Sequence, residues 1–130
     1  MTHHFSLRVY YEDTDLAGIV YYANYLKFIE RARSEWVRAL GVDQLRMKAD
    51  GLVFAVRRVE ADYLLPAKYD DELVVQTAMM PGSGARLVVK QDIIRGEDLL
   101  FSAIVTIICM TAEGSVARLP AAIRRSVQEN

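Results

Sequence analysis

The chain has 130 residues, 52% of them hydrophobic and 25% charged, a globular balance that excludes collagen-like and disordered classes and fits one domain, residues 1–130, around one core. Sixteen lysines and arginines nearly cancel seventeen aspartates and glutamates, so no strong positive field exists to hold a nucleic acid backbone. The stretch Met1 to Ser6 lacks the charged start and apolar run of a signal peptide, and no later segment reaches membrane-spanning length, which predicts a cytoplasmic protein without membrane insertion.

Phe5, Leu7, Val9 and Tyr11 alternate with polar or smaller residues, the period of a half-buried strand over 5–11. Glu12 to Gly18 follows with three carboxylates, a threonine and a glycine, a composition for a turn. From Asn24 to Leu40 there is no glycine or proline, and Tyr25, Phe28, Ile29, Ala32, Trp36, Ala39 and Leu40 recur at helical spacing. The spacing predicts one long helix, with Asn24 as N-cap and Gly41 at C′. A short helical stretch around Asp43 to Ala49 comes next, and then four β-rich runs: Leu52 to Tyr63, Glu72 to Met79, Ala85 to Ile94 and Leu99 to Met110.

Turn residues separate these runs: Pro66 with Asp70-Asp71, Pro81-Gly82-Ser83-Gly84, Arg95 to Asp98, and Ala112 to Gly114. Short links favour antiparallel neighbours, so the expected plan is a curved antiparallel sheet with the long helix packed on it. Leu99 to Ile108 lacks clean alternation, which implies cover on both faces. One helix covers one face, and the other predicts a homodimer or tetramer. The alternative is that Leu119 to Val127 folds back over it.

The lone cysteine, Cys109, excludes an internal disulfide and reads as a small buried hydrophobe. His3 and His4 are the only histidines and are expected at a loose terminus, which argues against a histidine-dependent mechanism. Pro81 to Gly84 lacks the Lys-Ser/Thr of a phosphate loop and reads as a hairpin turn.

The chemistry concentrates in Tyr10 to Tyr25. Amides in a helix's first turn have no internal partners and sit at the positive end of its dipole, so they can hold a developing oxyanion. A carboxylate beside them can attack a carbonyl or activate water. Those two parts suffice to hydrolyse an ester or thioester without serine, cysteine, metal or cofactor. Asp13 and Asp15 could instead serve only as capping and turn residues. A calcium loop fits worse, because Ala17 and Asn24 stand where further ligands are needed.

At Tyr11-Glu12-Asp13-Thr14-Asp15 with Gly18 to Tyr21, Ala23-Asn24-Tyr25, Glu30 to Glu35, Ala61-Asp62-Tyr63 and Pro66 to Leu73, the sequence resembles the 4-hydroxybenzoyl-CoA thioesterase-like branch of the hotdog family. It is especially similar to the acyl-CoA thioesterases encoded with the Tol-Pal envelope system. The resemblance implies an α+β hotdog fold, a five-stranded antiparallel sheet wrapped around one long helix, paired into dimers and tetramers. It implies that Asp15 acts as nucleophile or general base, that the Tyr22 backbone N–H polarises the carbonyl, and that Asp13 and Gly18 support the turn.

The same resemblance implies acyl-CoA bound at a subunit interface. Asn24, Arg86 and Lys90 are the candidate substrate-binding residues, with solvated sheet charges as the alternative reading of the last two; acyl carrier protein is a second possible partner. One departure is visible: the Tol-Pal branch often has histidine where this chain has Tyr22, and tyrosine there is similar to the 4-hydroxybenzoyl-CoA enzyme. A non-catalytic acyl-CoA or protein-binding module, or a dehydratase or isomerase on an acyl thioester, are the competing functions.

Overall fold

The computed structural model describes residues 2–129; Met1 and Asn130 lie outside the described residues. In chain order the elements are β1 (Thr2–Arg8), a 3-10 turn (Tyr11–Asp13), α1 (Asn24–Ala39), α2 (Gln44–Ala49), β2 (Leu52–Tyr63), β3 (Glu72–Met80), β4 (Arg86–Arg95), β5 (Asp98–Thr111), β6 (Val116–Ala117) and α3 (Ala121–Glu129). The strands form one antiparallel sheet in the order β1-β3-β4-β5-β2, with β6 paired to β5. This is the expected helix-on-sheet hotdog plan with one strand more than the five expected. β6 pairs with Cys109 and Met110, just where the β4 ladder ends at Ile108.

Helix α1 lies on the sheet because its apolar residues recur every three or four positions. Tyr25, Phe28, Ile29, Ala32, Trp36 and Val37 are buried, each large one contributing roughly 1.5–3 kcal/mol on leaving water. They meet Leu73 and Val75 of β3, Leu87, Val89 and Ile93 of β4, and Phe101, Ala103 and Val105 of β5 in one core cluster. The helix ends as its glycine predicts: Gly41, at φ 86°, gives its N–H to Arg38 O while Val42 N–H returns to Val37 O, the paired bonds of a Schellman stop. Ala39, expected inside, is exposed, because the stripe has rotated so that Val37 takes the inward place.

Three other expectations are corrected. β1 spans 2–8 and not 5–11, since Val9 N–H turns to Asp71 O and Tyr10 opens the 3-10 turn. His3 and His4 therefore sit in a strand, opposite Thr77 and Gln76 of β3. Asn24 is the first helical residue, and Ala23 is the N-cap without a side-chain cap bond, because Asn24 N–H closes a tight turn onto Tyr21 O.

The apolar surface left open also differs from expectation. Ser102, Ile104 and Thr106 on the outer face of β5 are half-buried, while Leu119 and Ile123 from the C-terminal segment join the core. The exposed strip lies on edge strand β2, where Val56 to Tyr63 are all exposed. Val56, Val59 and Tyr63 pair with Ile107, Val105 and Phe101; cross-strand partners share a face, so this strip flanks the helix. Cys109 is buried, and burial pushes its thiol above the ordinary value, as fits a packing residue. Pro81 to Gly84 is the β3–β4 hairpin, and a side chain at Gly82 would meet the Arg86 carbonyl at 2.5 Å.

Candidate active site

The loop between β1 and α1 is held at both ends by backbone bonds. Thr14 and Val20 form an antiparallel bridge, as do Ile19 and Lys68, and Val20 N–H reaches Ala67 O at 2.8 Å. Between those anchors Asp15 N–H bonds Ile19 O at 2.9 Å and Gly18 N–H bonds Asp15 O at 3.0 Å. Gly18 completes the turn at φ 80°, a conformation that costs other residues about 1 kcal/mol or more.

The two aspartates have different surroundings. Asp13 is half-buried and committed: its Oδ2 accepts Tyr10 N–H at 2.8 Å, and its carbonyl accepts both Tyr21 N–H and the Asn24 side-chain amide at 2.9 Å. Asp15 is exposed. Its Oδ1 accepts Ala17 N–H at 2.9 Å, which fixes the carboxylate's direction and leaves Oδ2 without a partner among the described residues.

Helix α1 starts beside this loop. Tyr22 stands just before the cap residue Ala23, and its N–H meets no protein acceptor among the described residues. The Tyr22 carbonyl accepts the Tyr63 hydroxyl at 3.0 Å. Tyr25 is buried, and its hydroxyl accepts Ala67 N–H at 3.0 Å; burial raises this phenol above its ordinary value, and the Asp15 charge is among the smaller effects acting the same way. Tyr25 stacks on Phe101 with ring centres 5.2 Å apart and meets Tyr63 edge-on.

Ile19, Val20, Tyr22, Tyr25, Tyr63 and the Leu64 to Pro66 segment line an open cleft of about 350 Å³. The wall formed by 64–67 is fixed from β4: Arg95 Nη1 bonds Pro66 O at 3.2 Å and Asp71 Oδ2 at 2.8 Å, and the same Asp71 oxygen accepts Lys68 N–H. An apolar, aromatic cleft beside a directed carboxylate and an unpartnered helix-start amide can receive an acyl group and polarise its carbonyl.

Asp13, Asp15, Gly18, Tyr22 and Asn24 are thus brought together. Arg86 and Lys90 are not: both are exposed on β4, opposite the inward Leu87, Val89 and Gln91, and Lys90 faces Asp92 at 3.7 Å. Tyr63 and Lys68 stand at the loop without having been assigned a role from sequence, and Tyr25, read there as part of the helix's apolar stripe, also reaches the loop through its hydroxyl. The signal for Tyr63 and Lys68 is that they fall within the segments carrying the family resemblance.

Residues 9–129 match the thioesterase-like superfamily. The Haemophilus influenzae acyl-CoA thioesterase YbgC is 41% identical over 107 residues, covering 82% of this chain and 79% of that protein. The acyl-CoA thioester hydrolase YbgC of Escherichia coli O157:H7 is 42% identical over 105 residues, 80% of this chain and 78% of its own. A probable thioesterase from Bartonella henselae superposes with a TM-score of 0.88 at 40% identity, covering 92% of this chain and all of that one. A 4-hydroxybenzoyl CoA thioesterase mutant complexed with 4-hydroxybenzoyl CoA has a TM-score of 0.86 at 21% identity over 92% of this chain and 94% of its own, a likeness of fold.

Proposed function

This chain belongs to the thioesterase-like superfamily, and from that premise we propose that Asp15 drives the hydrolysis while the helix start stabilises the charge. The activity is hydrolysis of acyl-CoA thioesters, as in the YbgC relatives. Water enters, the C–S bond breaks, and free acid and CoA leave.

In the proposed step the thioester carbonyl points at the Tyr22 N–H, and Asp15 either attacks the carbonyl carbon or takes a proton from the attacking water. The observation that carries this is a contrast in setting: each carboxylate accepts one backbone N–H, but Asp13 is half-buried with its carbonyl tied to Tyr21 and Asn24, whereas Asp15 is exposed. Asp13, Gly18 and Asn24 keep the loop in register with the helix. No histidine stands beside Asp15: His3 and His4 lie in β1, which fits the tyrosine at position 22.

The proposal extends to residues 1–130 as one cytoplasmic domain working as a homo-oligomer, with an acyl carrier protein as a second possible donor and a setting beside the Tol-Pal system. Arg86 and Lys90 would meet CoA phosphates only across a subunit boundary. Support for association is the exposed edge and apolar strip of β2.

The test is thiol release by Asp15→Asn across short, long and aromatic acyl-CoAs. Turnover should fall by about 10² or more while the melting temperature stays near wild type, the scale of a lost nucleophile or base. A folded Asp15→Asn protein with near-normal turnover refutes the assignment.

A further inference from the structure

A second recess, of about 170 Å³, lies between α1 and β2 farther along the helix. Its walls are apolar: Val37 of α1, Phe54 and Val56 of β2, Leu87 of β4 and Ile107 of β5. Its polar end is built by Glu30, Arg33 and Ser34 of α1 with Gln44 at the start of α2.

Arg33 is half-buried there and is held in place from below. Its Nη1 donates to Gln91 Oε1 at 3.0 Å. Gln91 is fully buried, and its Nε2 donates at 2.9 Å to both Ile29 O and Thr77 Oγ1, so the amide cannot turn. Arg33 makes no ion pair among the described residues, although guanidinium carries five N–H donors. Glu30 accepts the Ser34 hydroxyl at 3.0 Å instead. Burial presses the Arg33 cation below its ordinary value, and Glu30 pulls it back. A fixed cation against apolar walls, with the Glu30 charge acting on it but no ion pair formed among the described residues, is completed by an anion arriving with an apolar stem.

The recess and the catalytic cleft lie along one line. Leu26, Glu30 and Arg33 are spaced to share a stripe of α1, and the exposed Tyr63, Val59 and Val56 run beside it on β2. Arg33 is nine residues past Asn24, about 13 Å along the axis before its side chain leans back towards the helix start, a reach of roughly six to nine methylenes.

We propose that this recess receives the far end of the acyl group and that Arg33 pairs with a carboxylate there, which makes acyl-CoA thioesters of dicarboxylic acids favoured substrates. The assignment rests on the thioesterase reading above. Glu30 sets a limit on it, since its charge disfavours a tail that passes Arg33.

The experiment compares kcat/KM for suberyl-CoA and octanoyl-CoA, equal in length and different at the far end. Wild type should prefer suberyl-CoA by about tenfold or more, and Arg33→Met should lower the suberyl value by about thirtyfold while octanoyl changes by about twofold or less, as expected for one lost charge-assisted bond. Gln44→Glu places a negative charge at the same recess from an exposed position at a helix start. It should lower suberyl turnover by about three- to fivefold and octanoyl turnover by a clearly smaller factor, and this selective loss keeps the test independent of any damage done by Arg33→Met. Octanoyl-CoA hydrolysis without a suberyl preference, or an Arg33→Met effect equal on both, overturns the substrate assignment alone. Hydrolysis of neither while short or aromatic acyl-CoAs are still turned over overturns the substrate assignment alone, and no hydrolysis of any acyl-CoA in that wider screen sinks the thioesterase reading and this proposal with it.

Discussion

The Tyr63 hydroxyl, at the end of β2, donates to the Tyr22 carbonyl at 3.0 Å, so an edge strand holds the peptide that follows the candidate oxyanion donor. Removing that hydroxyl leaves the ring contacts with Tyr25 and Phe101 and frees the first turn of α1. Tyr63→Phe should therefore lower kcat about three- to tenfold and cost about 1 kcal/mol or less in stability, the scale of one exposed hydrogen bond. Parallel thiol-release and thermal-melt measurements decide it, and a stability loss without any change in kcat would show the bond to be architectural only.

Asp13 should behave in the opposite way to Asp15. Its carboxylate satisfies Tyr10 N–H at the entry to the loop, so Asp13→Ala loses a capping interaction of about 1 kcal/mol. Chemical denaturation should show that loss, and activity should return towards wild type at low temperature, where the loop refolds. A folded Asp13→Ala protein that is as dead as Asp15→Asn would reverse the two roles.

These contrasts show what the sequence could and could not carry. Leu52 to Tyr63 reads correctly to the residue because a long β-rich run is bounded by Gly51 on one side and Pro66 on the other. β1 was displaced because alternation continues through Val9 and Tyr11 after the ladder has ended, and only the distant Asp71 carbonyl decides where the chain leaves the sheet. β6 is two residues long, below the length at which any period exists. The Asp13 to Asp15 loop was legible because its parts are local. Arg33 with Gln91 and Asp71 with Arg95 are set by pairings 58 and 24 residues apart, which no local pattern contains.

The Asp71–Arg95 pair should give stability a measurable acid limb. Burial on its own would raise the Asp71 carboxyl, but the Lys68 N–H and Arg95 outweigh it and hold the group below its ordinary value. A carboxylate depressed in the folded state contributes stability above its unfolded pKa, about 3.9, and loses it as pH falls through the lower folded value. Asp71→Asn should thus cost about 1–2 kcal/mol at neutral pH and almost nothing near the bottom of the acid transition. The gap between wild-type and variant melting temperatures should narrow from neutral pH down to about pH 3; a gap that stays constant with pH would contradict the linkage.

Gln91 carries a stability prediction that its surroundings make specific. Its side chain bonds Arg33, Ile29 O and Thr77 from a position with no solvent access. Gln91→Leu fills the volume but strands the Arg33 and Thr77 groups, so it should cost about 1–3 kcal/mol, well above a volume-matched apolar exchange. Urea unfolding at neutral pH measures it, and a neutral or stabilising result would mean that water reaches those groups readily.

The free edge of β2 points to self-association with a definite register. β2 ends the strand order of the sheet, and Val56 to Tyr63 expose both backbone and an apolar strip, the arrangement that pairs strands between chains unless it is blocked. An antiparallel pair of β2 strands centred on Val59 sets Arg58 of one copy against Glu60 of the other, twice, and covers Val56 and Val59 on the helix side. Val59→Glu would put like charges face to face at that centre. Sedimentation should show wild type as a dimer or larger species and Val59→Glu as a monomer at micromolar concentration. Thiol release should fall with dissociation, by about tenfold or more, because the exposed Asp15 loop and cleft would lose the partner surface that holds the acyl-CoA in place against them. A wild-type protein that sediments as a fully active monomer would contradict both the interface and the shared site.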